Sequence, residues 1–227
     1  MTVYLSRLQV SRDPSIAALS ALIEPDDSAL RADAQHRLLW SAFAGDAQAT
    51  RDFLWRADGK GAFVVLSHRP PTPSPLFEPH DIRPFVPDLR AGDRLAFVLR
   101  ANATRQRKGI GRVDVVMDGL HGVSKDQRAE ARMQVAQEAG HVWLVGQGAR
   151  AGFDVVTMTA ADYSVLALPG KAGAGQGGRR RGQPQFGILE LTGTITVTDP
   201  PALVAKLAQG FGRARAFGCG LMMIRRA

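Results

Sequence analysis

The sequence predicts an α+β protein in which one β-α-β-β-α-β order of elements occurs twice. Two observations support this prediction. Short segments with alternating apolar residues are interrupted by a few segments with helical spacing, and glycine, proline and aspartate separate them. The chain of 227 residues is also long enough for two domains of about 100 residues each.

The first elements are a strand, a helix and a hairpin. Apolar residues alternate in the opening "VYLSRLQV", which is typical of a strand. Ser28 is a candidate N-cap for the segment "ALRADAQHRLLWSAFA", in which three large apolar residues recur at helical spacing. The next segments, "RDFLWRAD" and "GAFVVLSHRP", predict two strands that are joined by a turn at Asp58-Gly59.

A proline-rich loop and one more strand complete the first series. Five of the ten residues from Pro70 to Pro79 are proline, so this segment cannot continue a strand ladder and stands where a second helix would be expected. The segment "RLAFVLRAN" follows as a strand. This order is that of a ferredoxin-like domain. We therefore predict the first domain at residues 1–103.

The second half repeats the same order over residues 104–227. It starts with the strand "GRVDVVM" and the helix "KDQRAEARMQVAQEAG", which should end at Gly140. Then come "FDVVTMTAADYSVLA", a strand or a bent pair, and "FGILELTGTITVTD", a strand with a turn at Thr192-Gly193. The helix "PPALVAKLAQG" and the strand "CGLMMIRR" close the chain. The prediction is two tandem ferredoxin-like (RRM-like) domains, with antiparallel sheets and helices on one face.

Composition limits the class of protein and its compartment. Hydrophobic residues make up 45% of the chain without an apolar run of eighteen, which predicts a soluble globular protein with no membrane span. The first residues lack the profile of a signal peptide, so we expect a cytoplasmic location. Cys219 is the single cysteine, which excludes an internal disulfide and a zinc site with several cysteines.

The net charge of +8 makes nucleic acid the leading candidate partner, because a polyanion releases its condensed counterions when it meets a cationic surface. The alternative is that the basic balance only aids solubility. Three clusters carry much of the charge, and they lie beside glycine-rich turns: Arg100, Arg105, Arg107, Lys108 and Arg112; Arg179, Arg180 and Arg181; Arg213, Arg215, Arg225 and Arg226.

Glycines are concentrated in two places. Residues 169–184 form a basic, low-complexity loop, and residues 210–220 read "GFGRARAFGCG". The second segment follows a helix and precedes a strand, which is the reverse of a dinucleotide-binding fingerprint. Glycine lets bare backbone N–H groups approach phosphate oxygens, while neighbouring arginines supply charge. A helix C-cap and ordinary turns would explain one or two of the four glycines, which are Gly210, Gly212, Gly218 and Gly220.

The pattern Gly210-Phe211-Gly212, five residues, Gly218-Cys219-Gly220-Leu221 resembles the C-terminal glycine-rich motif of the RAMP superfamily. The segments "VYLSRLQV", "QHRLLWSAF" and "FVLRAN" are similar to its CasE subfamily, the CRISPR-RNA-processing endoribonucleases of type I-E systems. The resemblance runs in order from residue 3 to residue 224. That family is built from two ferredoxin-like domains, which agrees with the layout predicted above.

The resemblance implies a metal-independent endoribonuclease that cuts CRISPR repeat RNA at the base of its hairpin. A ribose 2′-OH attacks the adjacent phosphate, which gives a 5′-OH and a 2′,3′-cyclic phosphate. The protein then stays bound to the mature crRNA as a subunit of the interference complex. The resemblance implies no cofactor and no metal. The alternative is a noncatalytic RNA-hairpin-binding subunit of the same superfamily.

His36 occupies the position of the family's catalytic histidine. An imidazole titrates near neutrality and can accept or donate the proton. The alternative for His36 is a packing role at the edge of the core. Many relatives carry a tyrosine one helical turn earlier, where this sequence has Asp33. Which group assists His36 therefore stays open, with Arg37, Ser41 and the arginines of the glycine-rich segment as candidates.

The predicted RNA-binding residues come from the basic clusters and the glycine-rich motif. The arginine triplet at 179–181 resembles in placement the basic hairpin with which the family enters the groove of the repeat stem, although a solvated loop is the alternative. The cluster from residue 100 to residue 108 would contact phosphates. The full set is Arg37, Arg100, Arg105, Arg107, Lys108, Arg179, Arg180, Arg181, Gly210, Gly212, Arg213, Arg215, Gly218 and Gly220.

Overall fold

The computed structural model describes residues 2–44, 50–168 and 185–227. The chain divides into two compact units. Unit 1 contains Met1–Phe85, Val165–Phe186 and Ala216–Gly218. Unit 2 contains Val86–Ser164, Gly187–Arg215 and Cys219–Ala227.

Unit 1 has a four-stranded antiparallel sheet with the order β2-β3-β1-β4. Its strands are β1 (Tyr4–Gln9), β2 (Phe53–Gly59), β3 (Ala62–Ser67) and β4 (Asp81–Pro84). The described residues between β1 and β2 form three helices, which are α1 (Pro14–Ala17), α2 (Ser20–Ile23) and α3 (Ser28–Ser41). No helix lies between β3 and β4, where every residue is described. The proline-rich segment therefore replaces a second helix, as predicted.

Helix α3 covers one face of this sheet and forms the core of unit 1 with it. Leu39 of α3 and Phe43, which follows the helix by two residues, are buried with Leu8 of β1 and Phe63 of β3. The Phe43 ring stacks on Phe53 with 4.4 Å between ring centroids. The helical spacing of these apolar residues thus predicts the buried face correctly.

The N-cap of α3 is Asp27, one residue before the predicted Ser28. The Asp27 carboxylate accepts a hydrogen bond from the backbone N–H of Leu30 at 2.8 Å. Its carbonyl oxygen accepts the first helical bond, from the N–H of Arg31. Aspartate and serine are equally good N-caps, so residue type alone does not decide between adjacent candidates.

Unit 2 contains a second four-stranded sheet with the order β10-β5-β9-β8. When the four strands of each sheet are counted in chain order, both sheets have the spatial order second, third, first, fourth. This is ferredoxin-like topology. The elements are β5 (Arg94–Ala101), β6 (Thr104–Arg107), β7 (Gly111–Asp114), α4 (Val115–Leu120), α5 (Arg128–Ala151), β8 (Phe153–Ala167), β9 (Gln185–Val197), α6 (Pro200–Gln209) and β10 (Met222–Arg226), with a short 3₁₀ helix at Arg215–Phe217. The end of β8 from Val165 onward belongs to unit 1.

The strand predicted at "RLAFVLRAN" belongs to the second sheet and not to the first. It forms β5, which pairs with both β9 and β10. The fourth strand of the first sheet is β4, in a segment without a strand pattern because all four of its residues are exposed. Each main sheet therefore has four strands, as the predicted order of elements requires, and unit 2 has the β6–β7 hairpin in addition. The main chain divides at Phe85 and not at residue 103.

Gly140 was predicted to end a helix and Gly193 to form a turn, but each lies inside a continuous element of unit 2. Helix α5 continues through Gly140 and ends at Gly152, whose φ of 71° is left-handed. A Cβ on Gly140 would lie 3.0 Å from Leu189 of β9, so this glycine permits close packing of α5 on the sheet. Gly193 lies within β9, where it pairs with Phe97, and a Cβ there would meet the carbonyl oxygen of Thr157 at 2.0 Å.

The predicted strand "GRVDVVM" is in fact strand β7 followed by helix α4. Asp114 causes the change, because its carboxylate caps α4 by accepting bonds from the N–H groups of Val116 and Met117. The segment "FDVVTMTAADYSVLA" forms one long strand, β8. Among the described helices, none is both long and apolar enough to cross a membrane.

Candidate functional site

His36 lies half-buried on α3, and its nearest polar partner is Trp40, one helical turn further on. The Trp40 Nε1–H donates a hydrogen bond to His36 Nε2 at 3.3 Å. The Trp40 ring is itself held against Phe53, with 5.4 Å between ring centroids. A neutral His36 therefore carries its proton on Nδ1. This Nδ1 atom is buried and makes no hydrogen bond to the described residues.

The glycine-rich motif reaches the same place through Phe217. The Phe217 ring lies 6.0 Å from the imidazole of His36 and 5.4 Å from Phe186, between ring centroids. All three residues belong to unit 1, because the motif returns to this unit at Ala216–Gly218. Phe217 was not among the predicted site residues. The aromatic residue between the motif's arginines and its last glycines was the available signal.

Trp55 fixes the part of the motif that carries Phe217. Its Nε1–H donates a hydrogen bond to the carbonyl oxygen of Ala216 at 3.2 Å. The backbone of Gly218 lies against the indole ring with a φ of 75°, and a Cβ there would be 3.2 Å from the ring. Glycine is required here because the left-handed φ and the close ring both disfavour a side chain. Trp55 is buried, so the position of Phe217 beside His36 is well defined.

The environment of His36 favours its neutral form. Burial lowers the pKa of the imidazole, and the positive charges of Arg51 and Arg37 lower it further. The negative charge of Asp33 acts in the opposite direction, but the net pKa is below the ordinary value of 6.5. At neutral pH His36 is therefore a neutral imidazole that can accept a proton.

Asp33, which stands at the position of the relatives' tyrosine, and Ser41, a candidate partner of His36, both bond elsewhere. The Asp33 carboxylate pairs with the guanidinium of Arg37 on the exposed side of α3. The Ser41 hydroxyl donates to the carbonyl oxygen of Leu38 at 2.7 Å. Asp33 thus acts on His36 through its charge, and Trp40 supplies the hydrogen bond.

The remaining motif glycines lie in unit 2 and permit close backbone contacts. Gly210 is the C-cap residue of α6, as predicted, and its N–H donates to Lys206 O at 2.8 Å. A Cβ on Gly212 would lie 2.6 Å from Asn102 O. The Gly220 N–H donates to Arg100 O at 2.7 Å. The N–H groups of Gly210 and Gly220 therefore donate to protein carbonyl oxygens, so they are not free for the expected contact with a phosphate.

The predicted basic residues differ in their surroundings. Arg215 bonds back to the carbonyl oxygens of Gly212 and Gly210, while Arg213 is exposed. Arg100 forms an ion pair with Glu190 at 3.6 Å. Arg105 and Arg107 share one carboxylate, as described below. The basic triplet Arg179, Arg180 and Arg181, like the whole loop at 169–184, lies outside the described residues.

Metal-binding side chains are not clustered in the described ranges. Across residues 2–44, 50–168 and 185–227, His, Cys, Asp and Glu side chains form no group of three that could hold a metal ion.

Comparison with known proteins agrees with this architecture. The model of the family described as "CRISPR associated protein" matches residues 3–226. The CRISPR system Cascade subunit CasE of Escherichia coli K12 is 27% identical over 199 residues, which is 83% of this chain and 89% of the relative. The resemblance to CasE-type proteins inferred from the sequence is thus confirmed.

Solved structures of similar fold cover nearly the whole chain. One of them is Thermus thermophilus Cse3 bound to an RNA representing a pre-cleavage complex, with a TM-score of 0.65 at 20% identity. The match covers 99% of this chain and 100% of the Cse3 chain. Cas6e of Escherichia coli K-12 has a TM-score of 0.60 at 20% identity, with the same coverage. At this identity the structures show the shared fold. Since the family model extends over almost the full length, the chain belongs to the CRISPR associated protein family.

Proposed function

We propose that this protein is an endoribonuclease that cleaves CRISPR repeat RNA with His36 as the proton acceptor. The observation that carries the proposal is the environment of His36. Its pKa is lowered, its ring is oriented by Trp40 and Phe217, and it lies on the helix whose sequence carries the CasE resemblance. The relatives support the same activity, since one is a CasE subunit of Cascade and another is bound to an RNA in a pre-cleavage complex.

In the proposed reaction, His36 Nε2 takes the proton of a ribose 2′-OH. The oxygen then attacks the adjacent phosphorus, the bond from phosphorus to the 5′-oxygen breaks, and that oxygen takes up a proton. The products are a 2′,3′-cyclic phosphate and a 5′-OH. The bond from Trp40 to Nε2 is long at 3.3 Å, so an incoming hydroxyl would replace a weak contact. Proton transfer by a positioned histidine contributes roughly 10²- to 10⁴-fold to such a rate.

This reaction requires proton transfer and charge stabilisation, and we propose that protein side chains supply both without a metal ion. Arg37 and Arg51 are close enough to lower the pKa of His36. Their charges would also favour the negative charge that develops on the phosphorane.

The second candidate function is RNA binding without cleavage. The burial of His36 Nδ1 and the bond from Trp40 to Nε2 favour it, because a histidine held in this way can also serve packing alone. In either case we propose that the protein works in the cytoplasm, binds the repeat hairpin through its basic surface and stays with the crRNA in a Cascade-type complex. Neighbours of similar fold include chains of a CRISPR RNA-guided surveillance complex.

The experiment that separates the two candidates uses repeat RNA in the presence of EDTA. The wild-type protein should cleave it and leave a 2′,3′-cyclic phosphate on the upstream product. A substrate with a single 2′-deoxy sugar at the cleavage site should bind but stay intact. His36→Ala should bind the natural substrate without cutting it. Binding by the wild type without any cleavage would establish the noncatalytic function instead.

A further inference from the structure

An open cavity of about 620 Å³ lies in unit 2 beside the β6–β7 hairpin, and three of its seven lining residues are cationic. Its lining residues are Arg105, Gln106, Arg107, Lys108, Asp118, His121 and Gly122. We call this cavity the Asp118 pocket, because a single carboxylate organises it.

The Asp118 carboxylate holds both arginines of β6. The Arg105 Nε–H donates to Asp118 Oδ2 at 2.7 Å, and a terminal nitrogen of Arg105 donates to the same oxygen. A terminal nitrogen of Arg107 donates to the other oxygen, Oδ1. Since β-strand residues two positions apart share a face, β6 presents both guanidiniums on the same side. Their position is therefore set by one shared acceptor.

Exposure differs sharply between the two sides of these ion pairs. The Asp118 side chain is 1% accessible, whereas the side chains of Arg105 and Arg107 are 57% and 49% accessible. A guanidinium has five N–H donors, and Asp118 uses two of those on Arg105 and one on Arg107. The carboxylate is thus hidden beneath the arginines, which keep further donors on the open side.

Helix α4 holds Asp118 in a fixed position. Asp114 caps the start of this helix by accepting bonds from Val116 N and Met117 N at 2.9 and 3.0 Å. Gly119 lies so close to α5 that a Cβ there would be 2.7 Å from Val135. The carboxylate is therefore carried by a packed element, and the arginines are pre-organised before any ligand arrives.

The charge of the pocket suits a phosphate. Arg105, Arg107 and Lys108 contribute three positive charges against the single negative charge of Asp118. His121 also lines the pocket. Paired guanidiniums in fixed positions match the oxygens of a phosphate group better than lysines alone. Arg112 of β7 lies opposite Gln106 and therefore on the other face of the hairpin, so it does not belong to the pocket. The excess of positive charge within the pocket favours a polyanion over an isolated protein carboxylate.

We propose that the Asp118 pocket binds a backbone phosphate of the repeat RNA, with Asp118 as the residue that positions Arg105 and Arg107. This inference rests on the proposed function and deepens it. It has an unusual consequence, because removing a negative charge from a cationic RNA-binding protein should weaken binding instead of strengthening it.

The test compares Asp118→Asn with the control Asp81→Asn. Asp81 also pairs with an arginine, Arg83, through both carboxylate oxygens, but on the exposed strand β4 of unit 1. The probe is a fluorescein-labelled transcript of the repeat from the CRISPR array of the encoding genome. Binding is measured in a His36→Ala background, so that the probe stays intact. Asp118→Asn should weaken binding about tenfold, while Asp81→Asn should bind as well as its parent or more tightly.

Arg107→Gln keeps Asp118 paired with Arg105 and therefore serves if Asp118→Asn does not fold. It should weaken binding about tenfold and lower the slope of log K against log salt by about one. The proposed phosphate site is refuted if Arg107→Gln binds the probe with the affinity of its parent and Asp118→Asn, where it folds, does the same. Unchanged RNA binding with impaired association with other Cascade-type subunits would also refute it and assign the pocket to a protein carboxylate. Failure of the wild type to bind repeat RNA would refute the proposed function itself, and the pocket with it.

Discussion

Replacing Gly218 by alanine tests whether the glycine-rich motif positions Phe217 beside His36. The backbone of Gly218 has a φ of 75°, and a left-handed conformation costs a residue with a Cβ about 1–2 kcal/mol. The new Cβ would also lie 3.2 Å from the Trp55 ring. Because Trp55 is only 2% exposed, its ring cannot move away, and such overpacking costs about 1–3 kcal/mol. The expected loss of stability is therefore about 2–5 kcal/mol.

Gly59→Ala is the matched control for this substitution. Gly59 also lies in unit 1 and has a φ of 78°, but a Cβ there would have nothing within 4 Å. Its substitution should cost only the conformational part, about 1–2 kcal/mol. The difference between the two variants measures the packing of the motif against Trp55. Urea denaturation followed by tryptophan fluorescence gives both values.

The two variants should also differ in RNA cleavage at saturating protein. In Gly218→Ala the segment that carries Phe217 is displaced from His36, and misplacement by about 1 Å can lower a rate about 100-fold. Gly59→Ala should cleave at the wild-type rate. Equal losses of stability in the two variants, together with equal cleavage rates, would refute the positioning role of the motif.

Further predictions concern the charge around His36 and the packing of α5. Arg51→Gln should raise the pKa of His36, because it removes a positive charge that lowers it, and the acid limb of the cleavage pH profile should move to higher pH. Asp33→Asn should move that limb to lower pH, since the Asp33 charge raises the same pKa. If both variants moved the limb in the same direction, His36 would not be the base. Gly140→Ala should lower the melting temperature, because its Cβ would be 3.0 Å from a buried leucine, whereas Gly146→Ala, with nothing within 4 Å, should raise it.

Local patterns predicted most of the fold because the elements of both units have clear periodicity. The helical spacing in α3 agrees with the observed burial of Leu38 and Leu39. In β1 the agreement is partial, because Ser6 and Leu8 are buried whereas the apolar Leu5 is only half-buried. The sheet that each strand joins was harder to predict, since β4 is exposed at all four residues and β5 resembles a strand of either sheet. Glycines were ambiguous for a related reason. Gly140 looks like a helix end until the sheet that packs against it is known.

Only part of the candidate site could be predicted, because local patterns do not show which distant segments meet in the fold. His36 could be found from its own helix and from the family resemblance. Its neighbour Phe217 is 181 positions away in sequence (217 − 36) and lies near it only in the folded unit. Asp118 was not singled out, because a lone aspartate in the sequence gives no sign that it is buried beneath two arginines. Contacts between distant segments are set by topology, which residue patterns describe only indirectly.

The role of His36 as the proton acceptor is tested most directly by the single-turnover cleavage rate of His36→Ala on repeat RNA, with the dissociation constant measured in parallel. We expect a loss of roughly 10²- to 10⁴-fold in rate with an unchanged dissociation constant. A variant that cleaves as fast as the wild type would show that another group accepts the proton.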